Sequence, residues 1–274
     1  IERVRPVGVP MPSPPFFRQT NLEVVETESA AWSMGGVLAD KKGRVRALWA
    51  SFVDLSGKEP DAWFSGLPAR HIVEMLERVE AGERRWPDPG VELVPVGLAI
   101  ARDLGLDAAT ARELAALDRD RVVLGVARIA ADSPAAGVLR DGDLLLAVDG
   151  ELVTTFDALD ASLADGAAEL TLLRDGQRTQ VTLEPWWLDA GGIDRVVGFA
   201  GALLHAPHAA VSQQRGIPLD GVYVAWYWYG SPSARYGLRP TRRIVAVDGA
   251  PVADLDAFLA AVGERASGES VRLE

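Results

Sequence analysis

Apolar and polar residues follow two different periods along this chain, and the switches between them delimit its elements. The proline-rich residues 1–20 read as extended, loop-like segments. Asn21–Thr27 (NLEVVET) reads as a strand. Residues 29–52 read as a turn at Gly35-Gly36, a strand, a Lys-Lys-Gly turn and a second strand Val45–Phe52. The period then lengthens. Ile72, Met75, Leu76 and Val79 recur at helical spacing, predicting an amphipathic helix whose apolar face packs on the preceding strands. Pro68 stands before this helix and Gly82 suits its end. Arg84–Gly90, with two prolines, reads as a linker.

The remainder of the chain repeats itself. Ser133–Val153 (SPAAGVLRDGDLLLAVDGELV) returns as Ser231–Val252 (SPSARYGLRPTRRIVAVDGAPV). Each copy runs Ser-Pro, glycine, a short apolar run suited to a buried strand, then a turn at Asp149-Gly150 or Asp248-Gly249. Helical spacing follows in both, at 156–163 and 255–262, with an Asp placed to cap. Two alternating strands flank Asp175-Gly176, which predicts a hairpin over 169–184. Residues 107–118 read as an inserted helix and Val122–Ile129 as a strand.

The copies also differ. The second has Thr241-Arg242 where the first has Gly142-Asp143, and it stops at SVRLE after one strand of the expected last hairpin. Either that domain continues past Glu274 or its last strand is lost. In Val222–Gly230 (VYVAWYWYG), alternation puts Trp226 and Trp228 on one face and Tyr227 and Tyr229 on the other. Such a strand is expected to be buried on both sides or to join an interface between modules.

Composition narrows the function classes. At 274 residues, 48% of them apolar, the chain supports two domains, and three once the segment before the repeat is counted. A net charge of −11 argues against nucleic acid and anionic membrane surfaces as partners. No apolar run approaches the roughly 18–20 residues that cross a bilayer. Without cysteine there are no disulfides and no thiolate metal sites. His205 and His208 are three apart, but Pro207 interrupts a helix there and no third ligand is near. No metal or other cofactor is expected.

The repeat, with its helices and hairpin, resembles the PDZ domain in the permuted form of bacterial HtrA/DegP-type proteins, over most of 95–184 and of 195–274. The segment 29–52 resembles the nucleophile region of the trypsin-like HtrA proteases, Gly-Asn-Ser-Gly-Gly-Pro-Leu. Gly35, Gly36 and Leu38 match, but Met34 stands at the nucleophile, Ser33 at the Asn, Trp32 at the first Gly and Val37 at the Pro. A thioether cannot form an acyl-enzyme. Ser33, one residue off, would face away from a base. No histidine precedes Met34, and His71 reads as a partly exposed helix residue.

The resemblance implies a mainly β fold with short helices. Residues 1–84 would be the C-terminal part of a degenerate trypsin-like barrel, 91–186 a first PDZ-like domain and 194–274 a second. In that family, Val96, Gly97, Leu98, Ala99 and Ile100 would present backbone N–H groups to a peptide carboxylate, ahead of a peptide-pairing strand. Leu159 and Leu163 would line the pocket. Gly198, Phe199, Ala200 and Gly201 would be the counterpart loop of the second module. The implied function is a proteolytically inactive, tandem-PDZ portion that binds peptides or protein C-termini. The alternative is the regulatory portion of an active HtrA-type endopeptidase of protein quality control, with catalysis upstream of Ile1. The implied partners are a missing protease half or other subunits, an oligomer included, and the implied compartment is periplasmic or extracytoplasmic.

Overall fold

Turn chemistry places most of the observed element boundaries. The computed structural model describes residues 2–7, 20–27, 35–54, 61–189, 193–266 and 268–274. It is mainly β, in several sheets with a few short helices, and no sheet closes into a barrel among the described residues. Met34, Ser33 and Trp32 lie outside the described residues.

The N-terminal region holds β1 (Glu2–Val7), β2 (Leu22–Thr27), β3 (Gly36–Ala39), β4 (Val45–Asp54), β5 (Asp61–Pro68) and α1 (Ala69–Glu80). These strands form one antiparallel sheet in the order β1-β2-β5-β4-β3. Part of the segment read as loop-like, Glu2–Val7, is therefore a strand. Val24, Val25, Ala47 and Trp49 are its buried apolar side chains. Gly66 has to be glycine here, since a Cβ would lie 2.6 Å from that of Ala47. The helix α1 forms and lies against β4 and β5, but none of its residues is buried, and Val73, Leu76 and Val79 stand half exposed. An amphipathic period fixes that a face is apolar, not that something covers it.

The first module contains β6 (Arg85–Asp88), β7 (Val91–Gly97), α2 (Leu98–Asp103), α3 (Ala108–Leu117), β8 (Val122–Ile129), a 3-10 turn at Pro134–Gly137, β9 (Leu144–Val148), β10 (Glu151–Leu152), α4 (Asp157–Asp165), β11 (Ala168–Arg174), β12 (Gln177–Leu183) and β13 (Trp186–Asp189). Its main sheet runs β12-β11-β9-β8-β7, with β10 paired to β9; β6 leaves it to pair with β13. One core, with Leu145, Leu159 and Leu163, lies between the sheet and α4. A second, with Leu98, Leu114, Leu144 and Leu146, lies under α2 and α3 on the other face. This explains the uninterrupted LLLAV run: β9 is buried on both sides.

The second module contains β14 (Val197–Phe199), β15 (Ala202–His205), α5 (Ala209–Arg215), β16 (Val222–Tyr227), α6 (Pro232–Tyr236), β17 (Arg243–Ile244), β18 (Ala246–Val247), β19 (Ala250–Pro251) and α7 (Leu255–Gly263). Its main sheet runs β14-β15-β16-β17. One core, including Leu204, Val224, Ile244 and Phe258, serves it.

The two modules share a hydrogen-bond frame. Gly142 N donates to Val126 O and Val126 N to Asp143 O, as Thr241 N does to Val224 O and Val224 N to Arg242 O. Asp149 N donates to Glu169 O and Asp248 N to Arg272 O, both at 2.8 Å. Asp149 and Asp248 carry φ of 49° and 50°, each followed by glycine at 84°. Thr241 holds φ +68° where the first copy has Gly142 at +87°, a conformation a β-branched residue adopts only under strain.

By chain contacts the molecule divides into two compact units. Among the described residues the first comprises 2–7, 20–129 and 133–189, and the second 130–132, 193–266 and 268–274. The N-terminal sheet and the first module thus form one unit.

Candidate functional site: the edge of strand β7

Among the described residues β8 is the one strand paired with β7, and the other edge of β7 faces the N-terminal sheet. Outward-facing backbone groups on that edge are not left bare. Asn21, just before β2, donates from Nδ2 to Val91 O and accepts from Leu93 N at Oδ1, both at 2.8 Å. The O of one residue and the N–H of the second after it are the pair that an antiparallel strand would use. An added antiparallel strand would meet them with groups from two of its peptide units; here the one side-chain amide of Asn21 meets both.

Two residues on, Glu23 extends the contact to α4. It is only 3% exposed. Its Oε1 accepts from Phe156 N at the start of α4, and its Oε2 from Arg70 Nη2 at 2.9 Å. Arg70, in the first turn of α1, also donates from Nε to Asp157 Oδ1 at 2.7 Å. Burial pushes the Glu23 carboxyl above its ordinary value, while the Phe156 N–H and the Arg70 charge pull it back. The N-terminal sheet is thus fixed both to the edge of β7 and to the start of α4.

Glu23, His71 and Asp157 bring ligand atoms within 4.8 Å of one another. The Arg70 guanidinium already bridges both carboxylates, so the protein supplies its own cation there. Burial, then the Arg70 charge, holds the His71 imidazole below its ordinary value. Further along α4, Asp160 is pushed up to about 7, first by burial and then by the carboxylates of Asp88 and Glu23.

The residues singled out in the sequence fall elsewhere. No strand follows Gly97: it is the N-cap of α2, Leu98 is buried under that helix, and Ala99 and Ile100 are exposed on it. Val96 packs with the second core, while Leu159 and Leu163 are buried in the first core, so the structure does not bring the two sets together. The internal repeat shows the true counterpart of Val197–Gly201. A Cβ on Gly90 would lie 2.3 Å from Ser133 Cβ, and one on Gly201 would lie 2.3 Å from Ser231 Cβ. Trp86–Gly90, read as linker, therefore occupies the position of Val197–Gly201. A glycine two strands ahead of each Ser-Pro was the available signal. Asn21 and Glu23 left no such signal, because their partners are long-range.

Gly198, Phe199, Ala200 and Gly201 form β14 and the turn into β15. β14 fills the β15 edge, and Phe199 packs edge-on against Phe258 of α7 with centroids 5.2 Å apart. Gly35 and Gly36 lead into β3 with φ of +152° and +135°, and nothing would meet a Cβ at either. His205 lies on β15 and His208 caps α5, so they share no helix face; their rings lie 5.8 Å apart and both approach Tyr223. Only the N-terminal half of the aromatic strand is buried; Trp226, Trp228 and Tyr229 are exposed, against the expectation of burial on both sides. No helix of the described residues is long and apolar enough to cross a membrane.

No family model matches the chain. It is 33% identical over 290 residues to Protease Do-like 7 of Arabidopsis thaliana, a match spanning 94% of this chain and 26% of that protein. Over nearly its whole length the chain is thus similar to HtrA-like serine proteases. It is likewise 30% identical over 267 residues to pro-apoptotic serine protease NMA111 of Phaeosphaeria nodorum, across 95% of this chain and 26% of that relative. The HtrA-like chain thus spans about a quarter of the length of these curated relatives, which are plant and fungal rather than bacterial. Among solved structures, the HtrA-type protease AlgW with tripeptide is 25% identical, covering 56% of this chain and 48% of its own, at a TM-score of 0.37.

Proposed function

We propose that this chain is an interaction portion of an HtrA-like protein, proteolytically inactive in itself, whose two repeated modules are of PDZ type. A peptide C-terminus would add as a strand to the β7 edge, between β7 and α4. The observation that carries this reading is the Asn21 amide on Val91 O and Leu93 N: the edge receives a strand-like ligand, and an external peptide would take its place. Met34, at the nucleophile position of the family motif, supports inactivity, since a thioether cannot form an acyl-enzyme.

The relatives are named serine proteases, which favours a second reading, a regulatory portion of a longer active enzyme. The same contact would then tie peptide binding to the protease-like sheet.

Titration of the full chain with a labelled decapeptide ending in an apolar residue tests the reading. Binding is expected near micromolar, about −8 kcal/mol, and weaker for the C-terminally amidated peptide. Asn21→Ala should tighten binding about tenfold, because two hydrogen bonds no longer compete. Equal affinity for free and amidated peptides, unaffected by Asn21→Ala, would remove the edge assignment. Neither the chain nor its Met34→Ser variant should label with a fluorophosphonate; stoichiometric labelling of the unmodified chain would overturn inactivity.

A further inference from the structure

Between Asp220 and Asp248 the chain has no acidic residue, although its net charge is −11. That stretch instead carries four arginines. Arg243 is paired with Asp220. Arg235, Arg239 and Arg242 are exposed, and none makes a side-chain hydrogen bond or ion pair with a described residue. The same stretch exposes aromatic surface. Trp226 and Trp228 are half exposed, and Tyr229 and Tyr236 are 86% and 89% exposed.

The fold gathers these groups in one loop. Thr241 N–Val224 O and Val224 N–Arg242 O, both 2.9 Å, close its neck. Within it, the Trp228 N–H is held by Gly201 O and the Ser233 N–H by Ala200 O, which fixes the path from β16 into α6. Tyr227 turns inward onto the core and stacks edge-on with Tyr229 at 5.7 Å. The loop is therefore a held surface, cationic and aromatic, on a molecule that is otherwise acidic. Exposed aromatic area of this kind marks an interaction site rather than scattered surface residues.

We infer that the Trp226–Arg242 loop is a docking surface for an acidic, extended polypeptide segment, separate from the β7 edge. The unpaired guanidiniums supply donors for Asp and Glu side chains, and the planar rings supply apolar area at small entropic cost. Single-stranded nucleic acid offers the same combination of charge and stacking. A long polyanion, however, feels the field of the whole −11 chain, whereas a short segment bearing a few carboxylates feels chiefly the local arginines.

The test is fluorescence anisotropy on the full chain with a labelled dodecapeptide of alternating Glu/Asp and Leu/Phe residues, amidated at its C-terminus to exclude the β7 edge. Controls are its Gln/Asn counterpart and a thymidine dodecamer. The acidic peptide should bind, and its affinity should fall as salt rises. The triple variant Arg235→Gln, Arg239→Gln, Arg242→Gln should weaken it about tenfold, as expected for three exposed pairs of about 0.5 kcal/mol each. Trp228→Ala should weaken both the acidic and the neutral peptide, and Asn21→Ala should leave the acidic peptide unaffected. Far-UV circular dichroism confirms that each variant is folded. Equal affinity for the neutral peptide, no loss in the folded triple variant, or tighter binding of the oligonucleotide would each overturn the proposal. Failure here leaves the β7 assignment intact, since that assignment rests on a different peptide and on neither the three arginines nor Trp228.

Discussion

The two modules are built on the same hydrogen-bond frame, yet they resolve three problems differently. In the first, β9 is covered on both faces by α4 and by α2 with α3, and all five of its residues are buried. In the second, the equivalent run leaves Val245 exposed and carries Arg243 where the first has Leu144. The α4 N-terminus takes its carboxylate from Glu23, 133 residues away in sequence. The α7 N-terminus is capped locally, Asp254 accepting from Ala257 N. The β7 edge is met by a side chain from the N-terminal sheet, whereas the β15 edge is met by its own neighbouring strand β14. The first module therefore takes its edge and helix-start contacts from the N-terminal sheet, whereas the second takes the matching contacts from its own residues. A shared fold can thus carry one edge met by a distant side chain and one met by the strand beside it.

The sharpest test of that contrast lies in the cores. Leu146→Ala, on the face covered by α2 and α3, should cost about 2–5 kcal/mol. Val245→Ala, the matching position, should change stability by no more than about 0.5 kcal/mol. Urea denaturation followed through amide exchange of β8 and β16 separates the two units. Comparable costs at both positions would mean that the second module has a cover on that face after all.

Caps come next. Glu23→Ala removes a charged acceptor from Phe156 N and the partner of Arg70, and should destabilise the first unit by about 2 kcal/mol. Asp254→Ala should cost about 1 kcal/mol and act on α7 alone. Exchange of the α4 and β2 amides should rise together in Glu23→Ala. Protection lost from α4 with β2 unchanged would break the coupling of sheet and module.

A third test of the contrast is pH-dependent. Asp160 is pushed from 3.8 to about 7, so the fold favours its neutral acid. Its contribution is complete below the ordinary value and is lost as pH rises through about 7. The second module has Leu259 at this position. Asp160→Leu should therefore raise the first unit's Tm more at pH 8 than at pH 4. A Tm gain independent of pH would show that Asp160 keeps its charge at no cost.

Sequence alone determined the repeat, both Asp-Gly turns, α3, the hairpin about Asp175-Gly176 and the spans of α4 and α7. Each depends on residues a few positions apart, where backbone sterics and period suffice. Tertiary structure decided the rest. Gly97 reads equally well as a loop before a strand or as the N-cap of α2, and only the packing of Leu98 into the second core selects the cap. The period of α1 gave an apolar face but not whether anything covers it. Above all, the residues that engage the β7 edge lie some 70 positions away, joined to it by Asn21 and Leu93. A hydrogen bond across that separation depends on which segments the cores bring together, and no local pattern of polar and apolar residues records it.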